Sequence, residues 1–438
     1  MNDLQHIIDD VIAIAKGKPV WLAYSGGIDS HVLLHLLATS GRSELKNLHA
    51  IHINHGLHAD SNQWSQHCSE VATGLNLAFT NINVVVDKIA TLGMEAAARQ
   101  ARYHAIQATV SEGDVILTAQ HQHDQAETLL LQLLRGAGPK GLAGMAKITQ
   151  LGNAQLVRPF LTVSQTDIVA YARRHDLKWI DDPSNVETRW ARNYIRHDLW
   201  PNIEQRWPAA AKTLSRSAQH CAEASQLLDE LAQLDIEALV DVTHSLSISQ
   251  LVKLNAARQR NVLRYFISLH TSSLPSTVCL EQIVTEVCHA REDANPLVQW
   301  ADIEARRYQN RLYIGSRVNK HDPKQVVTLA DSTPIKLDDD RCLVWQQAVG
   351  QGLSKAIIES GLTVKFRQGG ERIKLSESYH SSLKHLFQQW AVPPWLRDSV
   401  PLIYREHELI AVVGYGLAEA YTVAKGEQGY FPVIEITQ

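Results

Sequence analysis

Apolar residues recur along the first half of the chain with two alternating periods. Leu4, Ile7, Ile8, Val11, Ile12 and Ala15 keep the spacing of one helix face, so an amphipathic helix is predicted to open the chain and to stop at Pro19. Val20-Trp21-Leu22-Ala23-Tyr24 is then a short unbroken apolar run, the pattern of a parallel strand buried on both faces. A Ser/Gly turn leads into the helical run Val32-Leu33-Leu34-His35-Leu36-Leu37. The alternation continues, with strands predicted over 48–53, 79–86 and 115–119 and helices over 62–75, 95–110 and 125–135. Strands and helices alternating at this spacing form βαβ units, hence a parallel sheet covered on both faces. Ligands of such sheets sit beyond the carboxyl ends of the strands, which directs attention to the residues just after Tyr24, Ile53 and Ala119.

Past Pro208 the period changes. Residues 209–290 are rich in Ala, Leu and Gln with few turn signals, and strand-like pieces return with Leu312-Tyr313-Ile314, Cys342-Leu343-Val344-Trp345, Leu409-Ile410-Ala411-Val412-Val413 and Val433-Ile434-Glu435-Ile436. The predicted fold is α/β: a Rossmann-like parallel-sheet domain over 1–208, a helical middle domain over 209–300, a connecting region over 301–363 and a small α+β domain over 364–438.

Composition narrows the class of function. The 438 residues are 45% hydrophobic and 20% charged, enough for two or three domains and too apolar for wholesale disorder. The net charge of −4 does not announce a nucleic-acid partner, so any such contact must come from a local basic patch. The N-terminus has no basic, cleavable leader and no apolar run reaches the ~20 residues of a membrane span, so a cytoplasmic protein without a membrane partner is expected. The five cysteines, Cys68, Cys221, Cys279, Cys288 and Cys342, are scattered and include no CxxC pair. They read as reduced thiols and argue against zinc, iron–sulfur and sulfur-relay chemistry.

The first strand ends in Ser25-Gly26-Gly27-Ile28-Asp29-Ser30 and a helix follows. Glycines let backbone approach an anion, and helix-terminal amides together with the macrodipole favour it. An ordinary capped Ser/Gly turn is the plain alternative. The loop lacks the GK[ST] ending that serves γ-phosphate transfer. It resembles the SGGxDS signature of the PP-loop, or N-type, ATP pyrophosphatases. That resemblance implies ATP as substrate, Ser25, Gly26, Gly27, Ile28, Asp29 and Ser30 as ATP-binding residues, and Asp29 as a Mg²⁺ ligand, since a carboxylate beside phosphates needs a bridging cation.

His52-Ile53-Asn54-His55-Gly56-Leu57-His58 follows the second strand. It resembles the HxNHxLR segment of one branch of that superfamily, the tRNA(Ile)-lysidine synthetases, with His58 where Arg is usual, and implies Asn54 and His55 at the ATP. Glu95-Ala96-Ala97-Ala98-Arg99-Gln100-Ala101-Arg102-Tyr103 is similar to the EAxAR–RY helix, on which Arg99 would face the reacting phosphate; a solvated basic face is the structural alternative. Gln120-His121-Gln122-His123-Asp124-Gln125-Ala126-Glu127-Thr128 resembles HHxxDDQxET, with Gln120 replacing a His and His123 replacing the first Asp. Asp124 would act in catalysis and hold Mg²⁺, and Asp124 or Glu127 would handle the proton of an attacking amine. Val157-Arg158-Pro159-Phe160-Leu161 and the run from Asp181 to Pro201 match further segments, the second supplying Arg192 to catalysis and Arg189 and Arg196 to RNA. Near the C-terminus Arg367, Arg372 and Lys384 stand in segments similar to the family's C-terminal domain and would also bind tRNA. Arg206, Arg258, Arg260 and Arg264 are further basic candidates.

The resemblance implies a PP-loop adenylation domain at 1–208 and tRNA-binding domains beyond it. It implies ligation of L-lysine to the wobble cytidine of the CAU anticodon of tRNA(Ile), with a homodimer possible. A 2-thiolase-like adenylating enzyme and a catalytically impaired tRNA-binding relative remain alternatives at this point.

Overall fold

The computed structural model describes residues 4–87, 93–240, 245–291, 294–317, 325–338, 341–376 and 379–436; the side chains of Glu95, Ser184, Asn185, Ser376, Tyr379 and Ile436 lie outside the description. Two compact units emerge, Met1–Glu230 and Leu231–Gln438.

In the first unit the alternation read from the sequence takes shape. Helix α1 (Gln5–Ala15) precedes β1 (Val20–Ala23), α2 (Ile28–Ala38), β2 (Leu48–Asn54), α3 (Ser61–Gly74), β3 (Ala78–Asn83), α4 (Met94–Thr109), β4 (Val115–Leu117) and α5 (Gln122–Leu134). A hairpin of β5 (Ile148–Leu151) and β6 (Ala154–Val157) follows, then α6 (Gln165–Arg174). The six strands lie in the order β3-β2-β1-β4-β6-β5, parallel except for β5. Successive residues of each strand enter two different cores, as a pleated strand requires. Val20, Leu22, Leu48, Ala50, Val115 and Leu117 join the core under α1 and α2, while Trp21, Ala23, Ile51 and Ile116 join the core that Ile106 and Tyr103 of α4 help to form. The predicted strand over 79–86 stops at Asn83, and β5 was not foreseen because its alternation is too short to separate from a loop.

Strand order reverses direction between β1 and β4, which pair in register with Val20 opposite Val115. The loops leaving the carboxyl ends of these two strands therefore open onto one crevice, the usual ligand position in such sheets. Beyond α6 the chain forms α7 (Ala191–Tyr194), a π-helical turn (Ile195–Leu199), α8 (Trp200–Arg206) and the long α9 (Ala210–Glu237).

In the second unit helix α10 (Ala256–His270) and the short α11 (Thr277–Gln282) pack with an antiparallel sheet of β7 (Leu246–Ser247), β10 (Arg311–Ser316), β9 (Ile303–Tyr308) and β8 (Leu297–Trp300), in that order. The helical region predicted over 209–300 stands, and the strand-like Leu312-Tyr313-Ile314 belongs to a small antiparallel sheet packed with it. Residues 326–436 add a five-stranded and a three-stranded antiparallel sheet, the latter built on the long ladder between Arg341–Val349 and Gln428–Ile436. No helix among the described residues is long and apolar enough to cross a membrane.

Candidate active site

The phosphate-type loop is held from within and from below. Ser30 Oγ accepts the Ser25 backbone N–H at 3.2 Å, lies 3.0 Å from Ser25 Oγ and donates to Gly27 O at 3.0 Å. Gly26 has φ +85°, and a Cβ on it would meet Ile180 Cδ1 at 2.5 Å and Cys68 Sγ at 3.0 Å. Only glycine satisfies both the backbone angle and the packing. Its carbonyl accepts the Ile180 N–H at 3.0 Å. Gly27 caps α2 without a side chain, which leaves first-turn amides without a side-chain acceptor, the arrangement that suits an anion.

Asp29, in the first turn of α2, faces the loop after β4. His121 caps α5 there: its Nδ1 accepts the His123 N–H at 3.2 Å, and Asp124 Oδ2 accepts the His121 N–H at 2.9 Å. Because Nδ1 is an acceptor, a neutral His121 carries its proton on Nε2. That nitrogen lies 3.7 Å from Asp29 Oδ1 and 3.5 Å from Asp124 Oδ2. Asp29 Oδ1 is buried and has no hydrogen-bond partner. Burial pushes its pKa above the usual carboxylate value, a pull that His121 and Arg196 only partly oppose.

Asp124 has the opposite environment. Its Oδ1 accepts Nη2 of Arg192 and of Arg196, each at 2.9 Å. Burial works against its charge, yet His121, Arg192 and Arg196 outweigh it and hold the carboxyl below its ordinary pKa. Glu127, one turn on, accepts Arg192 Nε at 2.9 Å and Arg196 Nε at 2.7 Å. The two arginines are four residues apart across the start of the π turn, an irregularity common at functional sites. Buried Trp200 anchors the segment against Ala126 of α5. Removing one member of a buried ionic cluster costs about 3–5 kcal/mol, so this network is rigid as well as charged.

The sequence expectations sort accordingly. Asp29, Asp124 and Arg192 come together. Arg196, expected on an RNA surface beside Arg189, turns inward onto the same carboxylates. Asp124, expected as a Mg²⁺ ligand, has both oxygens engaged, Oδ1 by two guanidiniums and Oδ2 by the His121 amide; Asp29 holds the uncommitted oxygen. Asn54 is likewise occupied: its Oδ1 accepts the Gly56 N–H at 2.8 Å and its Nδ2 donates to Asn62 at 3.1 Å. It shapes the loop after β2. His55 lies 3.5 Å from Arg102, and burial, then Arg102, lowers its pKa to about 4. Arg99 is exposed and lies over the Tyr103 ring at 5.0 Å, apart from the carboxylate cluster.

Of the RNA candidates, Arg189 is exposed, paired with Glu187 at 2.6 Å and stacked over Trp190. In the second unit Arg372 and Lys384 are exposed, whereas Arg367 is tied to Asp398 at 3.0 Å. Arg258 is bound to buried Asp235 and Arg260 to Glu281. The sequence reading missed His121, although the motif contained it, because attention went to the replaced neighbours. It also missed Ile180, for which no local signal exists. The five cysteines are free, and burial pushes Cys68 and Cys288 up to about 12, away from the reactive thiolate range.

Comparison with known proteins agrees along the chain. Residues 1–203 match a PP-loop domain family, 246–313 a TilS substrate binding domain and 362–435 a TilS substrate C-terminal domain. A tRNA(Ile)-lysidine synthase of Coxiella burnetii is 42% identical over 426 residues, covering 97% of this chain and 94% of that one. That of Legionella pneumophila (strain Lens) is 38% identical over 94% of each chain. That of Methylococcus capsulatus is 39% identical over 91% of this chain and 92% of its own.

Proposed function

The chain belongs to the tRNA(Ile)-lysidine synthase family, and from that premise we propose that it joins L-lysine to C2 of the wobble cytidine in the CAU anticodon of tRNA(Ile), in the cytoplasm, at the expense of ATP. The cytosine C2 carbonyl is a poor electrophile with a poor leaving oxygen. Attack of that oxygen on the α-phosphorus of ATP forms an O–P bond, breaks the bond to the β-phosphate oxygen and releases pyrophosphate. The lysine ε-amine then attacks C2, loses a proton, and AMP leaves with the oxygen.

The observation that carries this reading is the meeting of Asp29, His121 and the Asp124–Glu127–Arg192–Arg196 cluster at the mouth of the phosphate-type loop. The α2 amides and the two serines hold the pyrophosphate that departs. Mg²⁺ suits the orphaned buried oxygen of Asp29 and, bound there, would draw charge off the phosphates. Arg192 and Arg196 neutralise two buried carboxylates and hold them at the edge of the site. His121 fixes the start of α5 and keeps an N–H between Asp29 and Asp124. The lysine amine must be neutral to attack, against a reference pKa of ~10.4. Asp124 and Glu127, expected to take that proton, have their oxygens engaged by Arg192, Arg196 and the His121 amide, and Asp124 is held below its ordinary pKa, so neither is free to act as the base. The wobble base reaches this crevice only by leaving its stack.

Incorporation of radiolabelled lysine into unmodified CAU-anticodon tRNA(Ile), with ATP and Mg²⁺, tests the reading. Wild-type protein should incorporate lysine with stoichiometric pyrophosphate, and Asp29→Ala should lower the rate about 10³-fold. A folded wild-type protein that binds the tRNA and incorporates nothing would sink the ligase reading.

A further inference from the structure

Two motif residues take no part in the chemistry above. Gln125 and Arg158 are each only 5% exposed, and the side chains of both bond one stretch of backbone. Gln125 Nε2 donates to Met145 O at 2.9 Å and Ala143 O at 3.4 Å, and its Oε1 accepts the Met145 N–H at 2.7 Å. Arg158 Nη1 donates to Ala146 O at 2.7 Å, and its own amide donates to Lys147 O at 2.9 Å. Between these contacts Gly144 has φ +62°, and a Cβ on it would meet Gln125 Oε1 at 2.7 Å. Glycine is what lets the segment close onto the amide. Residues 135–142 therefore form a strap fixed at one end by α5 and at the other by this clamp.

The strap is polarised in one direction. Leu133 and Leu134 beside it are 58% and 76% exposed. Arg135 and Lys140 are exposed, and neither has an ion pair among the described residues. No Asp or Glu occurs between Glu127 and Asp167, in a chain whose net charge is −4. Arg192 and Arg196 of this unit are matched by carboxylates; Arg135 and Lys140 have no such counterpart among the described residues. Exposed cations beside exposed leucines complement a polyanion that also offers an unstacked, apolar base face.

We propose that residues 133–142 are a contact for the single-stranded part of the tRNA substrate, and that Gln125 and Arg158 are positioning residues that hold it beside the carboxylate-bearing helix. The proposal rests on the tRNA reading given above. Arg135 and Lys140 meet backbone phosphates, and the two leucines meet a base.

The test compares wild-type full chain with an Arg135→Ala/Lys140→Ala double variant and with Gln125→Ala. Equilibrium binding to unmodified tRNA(Ile) is measured across salt, ATP binding without tRNA serves as the internal control, and tryptic cleavage after Arg135 and Lys140 is timed. The double variant should bind the tRNA about 10-fold more weakly at ~0.15 M salt, with a salt slope shallower by roughly 1.5 and ATP affinity unchanged. Gln125→Ala should share the tRNA defect and be cut faster within the strap, at wild-type ATP affinity. Unchanged tRNA affinity and slope in the double variant, or a loss of ATP affinity in their place, overturns the contact. Unaltered cleavage of Gln125→Ala overturns the clamp. If wild-type protein binds the tRNA yet incorporates no lysine, the ligase reading fails while the affinity comparison still decides the strap.

Discussion

Two sets of cations, one in each unit, are handled in opposite ways. In the first, Arg192 and Arg196 meet Asp124 and Glu127, and the side chain of Glu127 is only 3% exposed. Charge there is cancelled inside the protein and geometry is what remains. In the second, Arg397 lies over Tyr308 at 5.8 Å and donates to its hydroxyl at 3.0 Å, Lys365 lies over Tyr404 at 4.9 Å and Arg405 over Tyr421 at 5.8 Å. A cation on an aromatic face is positioned without being neutralised, at a gain of only about 0.5–1 kcal/mol where exposed. The first arrangement suits a site that must keep reacting groups in place; the second suits a surface that must still attract phosphate.

That contrast is breakable. Glu127→Ala leaves two guanidiniums facing one carboxylate and should cost about 3–5 kcal/mol in a urea titration; a loss under 1 kcal/mol would mean that the cluster is not a rigid unit. Next comes Asp29, whose buried Oδ1 has no hydrogen-bond partner. Burial raises the Asp29 pKa, so folding favours its protonated form, and its effect on stability runs opposite to that of a paired carboxylate. The penalty is absent below about pH 3.8, the value in the unfolded chain, and grows as pH rises through the folded value. Asp29→Asn should therefore unfold at a higher temperature than wild type at pH 7, lose that advantage near pH 3, and be inactive throughout. An Asn variant less stable at pH 7 would mean that the carboxylate is satisfied in solution. The smallest effect belongs to the aromatic-backed cations. Lys365→Ala with Arg405→Ala should change stability by no more than about 1 kcal/mol while weakening tRNA binding a few-fold, with a shallower salt dependence. Equal tRNA binding at all salt concentrations would remove these residues from the interface.

Much of the first unit was legible because its signals are local. The apolar runs at Val20 and Val115 and the Ser25–Ser30 loop lie where the sheet needs them, and the strand-order reversal that makes the crevice follows from the βαβ pattern. Roles were harder to read than positions. Asn54 sits beside the expected site, but its amide is consumed by Gly56 and Asn62. Arg189 and Arg196 look alike in sequence, yet the π turn sends Arg196 inward and leaves Arg189 outside. Which arginines find a carboxylate depends on pairings such as Arg196 with Glu127, 69 residues apart, that no local pattern encodes. In the second unit Leu312-Tyr313-Ile314 read as strand-like, but its two-residue partner Leu246–Ser247 is too short to carry a period.

The hydrogen bond from Ile180 to the carbonyl of Gly26 also bears on synthesis. The glycine loop leaves the ribosome early, but the amide that braces it is made some 150 residues later, and Arg192 and Arg196 follow later still. Loop-closure entropy rises slowly with length, so this delay costs little at equilibrium but orders events during translation, when the chain grows at roughly 5–20 residues per second. For many seconds a nascent chain can hold its first strands and the Ser25–Ser30 turn without the pieces that make them a nucleotide site. The Ser25–Ser30 loop is thus braced only once Ile180 has left the ribosome, after the strands that flank it.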